Sequence, residues 1–213
     1  MGQIFISHSS KDNEAVQFFS TIFAGTKVKA VFEEFEKMGG YPVGSEKIKQ
    51  DINYSNAVFI LMSDGYENVK HTRDWIVWEC GYSVQNNRDV WVFEKQNSIG
   101  SVSVITPSLT HYVVYNANQN WFGYIRSIVE SYDDSNVLGT ILMGAAAGAT
   151  LSEKDSGTGA LLGGALGLIL SNKNKQKPRG QQIRCISCSS IYNLHIELGR
   201  HFRCPVCNHG MKL

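Results

Sequence analysis

The segment Ala57-Val58-Phe59-Ile60-Leu61-Met62 decides the fold class of this chain of 213 residues. It is an uninterrupted apolar run, which is typical of a β-strand that is buried on both faces. Strands of that kind occur in parallel sheets that carry helices on both sides. The run therefore predicts an α/β fold, with helices expected before and after it.

Further strands and helices are predicted to alternate on both sides of this segment. The other strands are expected at residues 3–7, 28–35, 90–93 and 112–115. Helices with apolar positions every three or four residues are expected between them, and a closing helix is expected at 121–132. Residues 1–132 are thus predicted to form a doubly wound, five-stranded parallel sheet.

The helix expected after the third strand carries an aromatic ring and a carboxylate one turn apart. In the segment Asp74-Trp75-Ile76-Val77-Trp78-Glu79, Trp75 and Glu79 are four residues apart and share one helix face. A carboxylate stabilises the oxocarbenium-like state formed when an N-glycosidic bond to a pyridinium breaks, and a ring holds the departing group. The pair suits cleavage of NAD⁺. The alternative is that both tryptophans are core or half-exposed residues and Glu79 is a solvated charge.

Four motifs, in this order and spacing, resemble a Toll/interleukin-1 receptor (TIR) domain of the prokaryotic type. They are IFISHSSKD at 4–12, GGYPVG at 39–44, FILMSDGY at 59–66 and DWIVWE at 74–79. The resemblance covers residues 1–132. It implies a flavodoxin-like fold with one of two activities, which are cleavage of NAD⁺ and homotypic assembly as a scaffold.

The resemblance also implies which residues form the site. In NAD-cleaving members the glutamate of the tryptophan-to-glutamate turn is catalytic, and it falls on Glu79. The tryptophan one turn earlier, at the nicotinamide ribose end of the substrate, falls on Trp75. The loop after the first strand lines the same pocket and falls on Ser7, His8 and Ser9.

The glycine-rich loop after the second strand completes the predicted pocket. Tyr41 adds aromatic surface, and glycines such as Gly44 let the backbone approach the ligand. The pocket is expected outside the carboxyl ends of the strands, where open α/β sheets bind ligands. Some family members carry an arginine in the first loop, where this chain has Ser9 and Ser10, which leaves the phosphate contact unassigned. His8 is a proton carrier or, as a lone loop histidine more often is, a group that stabilises the loop.

Residues 137–170 are rich in glycine and alanine, and a charged turn at 152–156 divides them into two uncharged stretches. Small residues recur every fourth position, as they do where helices pack closely. Each stretch is shorter than the roughly 20 residues of an ordinary membrane span. The segment is predicted to be a glycine-zipper helical hairpin. Membrane contact, oligomerisation of copies in water and a disordered linker are the three roles left open.

A basic linker, residues 171–180, follows the hairpin. If the hairpin enters a bilayer, this cationic flank is expected on the cytoplasmic side. Met1 runs directly into the first strand without a secretory leader, which predicts a cytoplasmic protein. If the hairpin contacts lipid, the protein is expected to be associated with a membrane.

Two C-x-x-C pairs, Cys185 with Cys188 and Cys204 with Cys207, form the strongest chemical signal in the chain. Their spacing is typical of a zinc site. Four thiolates close a tetrahedron around Zn²⁺ and leave no position for a substrate, so the predicted site is structural. Residues 181–213 resemble a zinc ribbon that depends on metal for its folding free energy. Two disulfides are the alternative, and they require an oxidising compartment.

Two classes of function follow from the sequence. The favoured class is an NAD⁺ glycohydrolase or cyclase that is activated by self-association into a homo-oligomer, in cell defence or signalling. Its products are nicotinamide and ADP-ribose or a cyclic ADP-ribose. The alternative is a non-enzymatic adaptor, or an effector that acts on membranes through the hairpin. The ribbon is expected to contact protein rather than nucleic acid. The formal net charge of the whole chain is only +1.

Overall fold

The computed structural model describes residues 1–9, 12–34, 43–62, 70–96, 106, 108–133, 180–197 and 201–212. The described helices are α1 (Asn13–Phe23), α2 (Val43–Tyr54), α3 (Lys70–Gln85) and α4 (Gln119–Glu130). The described strands are β1 (Gln3–His8), β2 (Lys29–Glu34), β3 (Ala57–Met62), β4 (Asp89–Lys95), β5 (His111–Tyr115), β6 (Gln181–Arg184), β7 (Ile191–His195), β8 (His201–Arg203) and β9 (Gly210–Lys212).

The central sheet is mostly parallel, as the apolar run of β3 predicts. Its strand order is β2-β1-β3-β4-β5-β7-β6, and only β6 runs antiparallel to its neighbour. All six residues of β3 are buried. The fold is therefore α/β and compatible with a flavodoxin-like arrangement.

Among the described residues, the sheet contains more strands than the sequence predicts. The five expected strands are present, and residues 181–195 add β6 and β7 beside β5 to give seven strands. Strand β7 pairs with β5 in parallel, with His111 opposite Asn193 and Val113 opposite His195. The addition has a physical reason, because β5 would otherwise present a row of unpaired backbone groups at the edge of the sheet.

Each face of the sheet is covered by a different pair of helices. On the face that we name the α2–α3 face, alternate strand residues join α2 and α3 in one core. This core includes Phe5, Val58, Ile60, Val92, Ile48, Ile52, Ile76 and Cys80. On the opposite, α1–α4 face, the remaining strand residues pack against α1 and α4. That core includes Ile4, Ile6, Phe59, Phe93, Phe19, Ile22, Ile125 and Ile128.

The described part of the predicted ribbon packs against the α2–α3 face. Tyr192, Leu194 and Phe202 belong to the same buried cluster as Ile76 and Cys80 of α3. The segment predicted as a zinc ribbon at 181–213 thus contributes residues to the core beside the α/β sheet. Part of its folding free energy comes from this shared burial and not from metal alone.

The hairpin predicted at 137–170 and nearly all of the basic linker lie outside the described residues. Among the helices that the structure describes, none combines the length and the apolar content needed to cross a bilayer.

Gly2 gives a direct test of how tightly the two ends of the doubly wound unit pack. A Cβ atom at Gly2 would lie 1.8 Å from the backbone oxygen of Tyr132. Gly2→Ala is expected to lower the free energy of unfolding by about 1–3 kcal/mol, the usual cost of overpacking. Chemical denaturation of both proteins measures the difference.

Gly123→Ala is the matched control. Gly123 lies inside α4, and a Cβ atom added there would meet nothing beyond the backbone of its own helix within 4 Å. Because alanine is the better helix former, this variant should gain about 0.5–1 kcal/mol. Equal stability of Gly2→Ala and the unsubstituted chain would contradict the described packing.

Candidate functional site

The end of β1 places Ser7 and His8, two of the three predicted residues of the first loop, on opposite faces of the sheet. Ser7, His8 and Ser9 are all buried. Because side chains alternate along a strand, Ser7 lies on the same face as Phe5, which is the α2–α3 face. His8 lies on the opposite face, where its ring contacts Phe32 edge to face at 5.9 Å. Of these two strand residues, only Ser7 therefore shares a face with α3.

His8 and Ser9 close the turn that leads into α1. The His8 Nδ1 donates to the Ser9 carbonyl oxygen at 3.0 Å. The Ser9 amide donates to Asp12 Oδ2 at 3.3 Å, and the Asp12 amide donates back to the Ser9 carbonyl at 3.0 Å. Of the two roles open to His8, these contacts favour the stabilisation of the loop. They also turn the Asp12 carboxylate towards Ser9 and away from the amides of α1, whose N-cap it occupies.

Glu79 lies inside α3 with its side chain completely buried. Trp75 lies one turn earlier in the same helix, so the predicted spacing of the pair is confirmed at the level of the backbone. The Ser83 hydroxyl donates to the Glu79 backbone carbonyl at 2.6 Å. Burial and the nearby Glu79 carboxylate hold the pKa of the Cys80 thiol well above its usual range. Cys80 is therefore a protonated core thiol and not a nucleophile.

Ser7 and Glu79 lie at about the same height on the α2–α3 face. Glu79 precedes the end of α3 by six residues, which is about 9 Å of helix. Val92 follows the start of β4 by three residues, which is about 10 Å of strand. Val92 pairs with Ile60, and Ile60 pairs with Ser7. Among the described residues the buried Ser7 hydroxyl has no hydrogen-bond partner, so an unsatisfied polar group lies on the same sheet face as α3.

A second buried carboxylate on this face was not predicted from the sequence. Glu94 lies at the carboxyl end of β4 on the same face as Val92, and it is only 5% exposed. The Tyr112 hydroxyl donates a hydrogen bond to it. Burial and the Glu94 carboxylate raise the pKa of Tyr112 well above its usual range, so the phenol keeps its proton. An acidic residue at the carboxyl end of a buried strand was the signal that could have identified it.

Two residues of the predicted pocket come from the glycine-rich segment after β2. Tyr41 lies outside the described residues. Gly44 lies in the first turn of α2, which begins at Val43, and not in the loop where the sequence placed it. The structure thus brings Ser7, Glu79 and Glu94 to one face of the sheet.

The four cysteines of the ribbon form a candidate metal centre. Their sulphur atoms all lie within 4.8 Å of one another. Two of the separations are 3.7 Å, from Cys185 to Cys207, and 3.8 Å, from Cys188 to Cys204. Sulphurs at about 2.3 Å from a tetrahedral zinc ion are about 3.8 Å apart, so the set fits Zn²⁺. All five cysteines of the chain are free in the structure, which favours a metal site over the disulfide alternative.

Both C-x-x-C turns have the same backbone design. In the first, the Ser189 amide donates to the Cys185 carbonyl at 2.9 Å, and in the second the Asn208 amide donates to the Cys204 carbonyl at 2.8 Å. Ser189 and Asn208 are matching positions, and both have a positive φ, of 62° and 61°. The first cysteine of each turn is buried and the second lies nearer the surface. This repeated geometry directs the sulphur atoms of both turns towards the same point.

Burial raises the pKa of the Cys204 thiol to about 12, whereas the surroundings of Cys188 and Tyr192 suit a bound cation. The pKa of Cys188 is lowered to about 6, first by its hydrogen bond with Ser190, which favours the thiolate that binds metal. The Tyr192 hydroxyl is buried beside Cys204, and no nitrogen or oxygen among the described residues pairs with it. A thiolate bound to a metal would accept that proton donor, as outer-shell groups at metal sites commonly do. The four cysteines would hold the ion in a closed, structural site.

Comparison of the chain with protein-family models, with curated proteins and with solved structures finds no significant match. The TIR resemblance accordingly stays a prediction from motifs, and the function is argued from the geometry of the two candidate sites.

Loss of the metal is expected to weaken the whole unit and not the ribbon alone. Cys204→Ser should abolish zinc binding, measured as zinc per chain by elemental analysis. It should also lower the free energy of unfolding by about 3–4 kcal/mol when zinc is present at roughly 100 to 1,000 times its Kd. The reason is that Cys204 belongs to the same core as α3.

His209→Ala is the matched control, because His209 follows the second turn and its backbone, not its ring, accepts from the Cys204 amide at 2.8 Å. This variant should retain zinc and stability. A Cys204→Ser chain that unfolds at the same denaturant concentration as the unsubstituted chain would overturn the structural assignment.

Proposed function

We propose that this chain cleaves the bond between nicotinamide and ribose in NAD⁺, as a TIR-type NAD⁺ nucleosidase. The observation that carries the proposal is a fully buried carboxylate, Glu79, one helical turn after Trp75 in α3, on the same sheet face as Ser7 near the carboxyl end of β1. Open sheets of this kind bind their ligands at the carboxyl ends of the strands. The motif resemblance indicates NAD⁺ as the substrate, and the candidate site contains chemical groups that suit its cleavage.

In the proposed reaction the bond from the ribose C1′ to the pyridinium nitrogen breaks, and nicotinamide leaves with the bonding electrons. Positive charge develops on the ribose, and the Glu79 carboxylate stabilises it. Trp75 provides a ring for the departing nicotinamide, and the Ser7 hydroxyl is available to the ribose. The oxygen of water then bonds to C1′ and releases a proton, which gives ADP-ribose. Attack by a nitrogen of the adenine gives a cyclic product instead.

The burial of Glu79 supports regulation by opening of the site. Its side chain is 0% exposed, so substrate reaches it only after neighbouring groups move. The burial of a carboxylate also lowers the free energy of unfolding, because the charge is removed from water on folding. Both points fit an enzyme that is inactive as a single copy and is activated when copies assemble.

Glu79→Gln tests the catalytic role with the least change of shape. Release of nicotinamide from NAD⁺ by the full-length chain is expected to fall at least about 100-fold, which is typical of the loss of one preorganised electrostatic group. The assay is run across a range of protein concentrations, with liposomes and crowding agents in parallel samples. Chromatography of the products separates ADP-ribose from a cyclic form.

Glu46→Gln is the control for this substitution. Glu46 is an exposed residue of α2 that pairs with Lys49 at 2.6 Å, so its loss should leave turnover unchanged. Thermal unfolding of both variants shows whether either has lost its fold. Turnover by a folded Glu79→Gln protein at the rate of the unsubstituted chain would refute the proposed mechanism.

A non-enzymatic scaffold is the second candidate function. The complete enclosure of Glu79 also fits a residue that only supports the core between α3 and the sheet. This candidate predicts no nicotinamide release at any protein concentration, together with assembly that Glu79→Gln does not change.

The segment at 137–170 is proposed to raise the local concentration of the catalytic unit by self-association. Its deletion should lower specific activity more in dilute than in concentrated protein, as measured by nicotinamide release over a dilution series. The same relative activity at every concentration would show that the segment has no part in activation.

A further inference from the structure

We propose that the four cysteines of the candidate metal centre are also an oxidation site, at which a hydroperoxide forms two disulfides that each join one C-x-x-C turn to the other. Cys185 pairs with Cys207, and Cys188 pairs with Cys204. The oxidised and the metal-bound states exclude each other, because the ligand of a metal is the thiolate and a disulfide has none. Oxidation therefore releases the metal, and nothing in this chemistry depends on cleavage of NAD⁺.

The sulphur atoms of each proposed pair are already in contact. Cys185 Sγ lies 3.7 Å from Cys207 Sγ, and Cys188 Sγ lies 3.8 Å from Cys204 Sγ. Both contacts run from the first turn to the second. A disulfide bond is about 2.0 Å long, so the sulphurs of each pair have less than about 2 Å to close.

Each pair combines a cysteine that solvent reaches with one that solvent does not reach. Cys188 and Cys207 are partly exposed, whereas Cys185 is 1% exposed and Cys204 is 0% exposed. Cysteines that respond to oxidants are typically accessible and lie next to a second cysteine that reacts with the oxidised one. Both pairs have this arrangement, with an outer sulphur open to the oxidant and an inner sulphur in contact with it.

The reaction of each pair consumes one hydroperoxide. The Cys188 sulphur attacks an oxygen of the peroxide, the O–O bond breaks, and the alkoxide or hydroxide leaves with the thiol proton as alcohol or water. The Cys204 sulphur then attacks the sulphur of the resulting sulfenic acid, the S–O bond breaks, and water leaves with the proton of Cys204. Two electrons pass from the sulphurs to the peroxide. Cys207 and Cys185 react in the same way, and exchange with a small thiol reverses both steps.

Peptide mapping of the full-length, zinc-loaded chain tests the pairing. Trypsin cleaves after four basic residues around the two turns, Arg184, Arg200, Arg203 and Lys212. The first turn then lies in peptide 185–200 and the second in peptide 204–212. After treatment with hydrogen peroxide and blocking of the remaining thiols in denaturant, mass spectrometry should find these peptides joined by two disulfides. A colorimetric zinc indicator should report one ion released for each doubly linked chain.

Chains that are stopped after the first disulfide show which sulphurs react together. Fragmentation of the linked peptides should find either Cys185 joined to Cys207 or Cys188 joined to Cys204, with the other two thiols blocked. Cys80 is the internal control, and it should be recovered as a blocked thiol because it is 0% exposed.

Cys207→Ser and Cys185→Ser are matched variants, because each removes one end of the same pair. Both should retain the link between Cys188 and Cys204 and leave the other cysteine of the broken pair as a blocked thiol. Disulfides within each turn, sulfinic acids without a disulfide, or four blocked thiols at a peroxide concentration that oxidises a free cysteine peptide would each overturn the proposal. Mapping of the unsubstituted chain decides this independently of the stability of either variant.

Discussion

The pairing of β5 with β7 is the interaction on which the rest of this structure depends. It turns the exposed edge of a doubly wound sheet into an interior position and attaches the cysteine-rich segment to it. The Asn193 side chain and backbone both donate to the Thr110 carbonyl, at 3.2 and 3.1 Å, just before β5 begins. The Thr106 amide donates to the Pro205 carbonyl at 2.9 Å, so the second cysteine turn is also tied to the chain ahead of β5.

Through this attachment, residues of the ribbon contact the residues packed on both faces of the sheet. Cys185 and Cys204 extend the core that contains Ile76 and Cys80, next to the proposed catalytic carboxylate. On the other face, His195 contacts Trp91, His111 and Tyr124. A metal ion held by the cysteines would therefore stabilise the surroundings of the proposed catalytic carboxylate while taking no part in its chemistry.

Local patterns in the sequence were sufficient for the α/β class, for strands at the expected places in the mostly parallel sheet and for the four cysteines that could hold a metal ion. The run 57–62 and each C-x-x-C turn are local signals, because each spans only a few consecutive residues. The joining of β7 to β5 was missed because strand pairing across long separations depends on complementary edges and not on local propensity. Gly44 was misplaced because α2 begins at Val43, inside the glycine-rich segment that the sequence predicts as a loop.

Native-state hydrogen exchange of the full-length chain, with zinc bound and after chelation, tests the central claim that ribbon and sheet are one cooperative unit. The account predicts that chelation removes protection from the amides of β5 together with those of β7, since the two strands share hydrogen bonds and a core. If β5 kept its full protection while only β6 to β9 exchanged, the ribbon would be an independent attachment and the account would be contradicted.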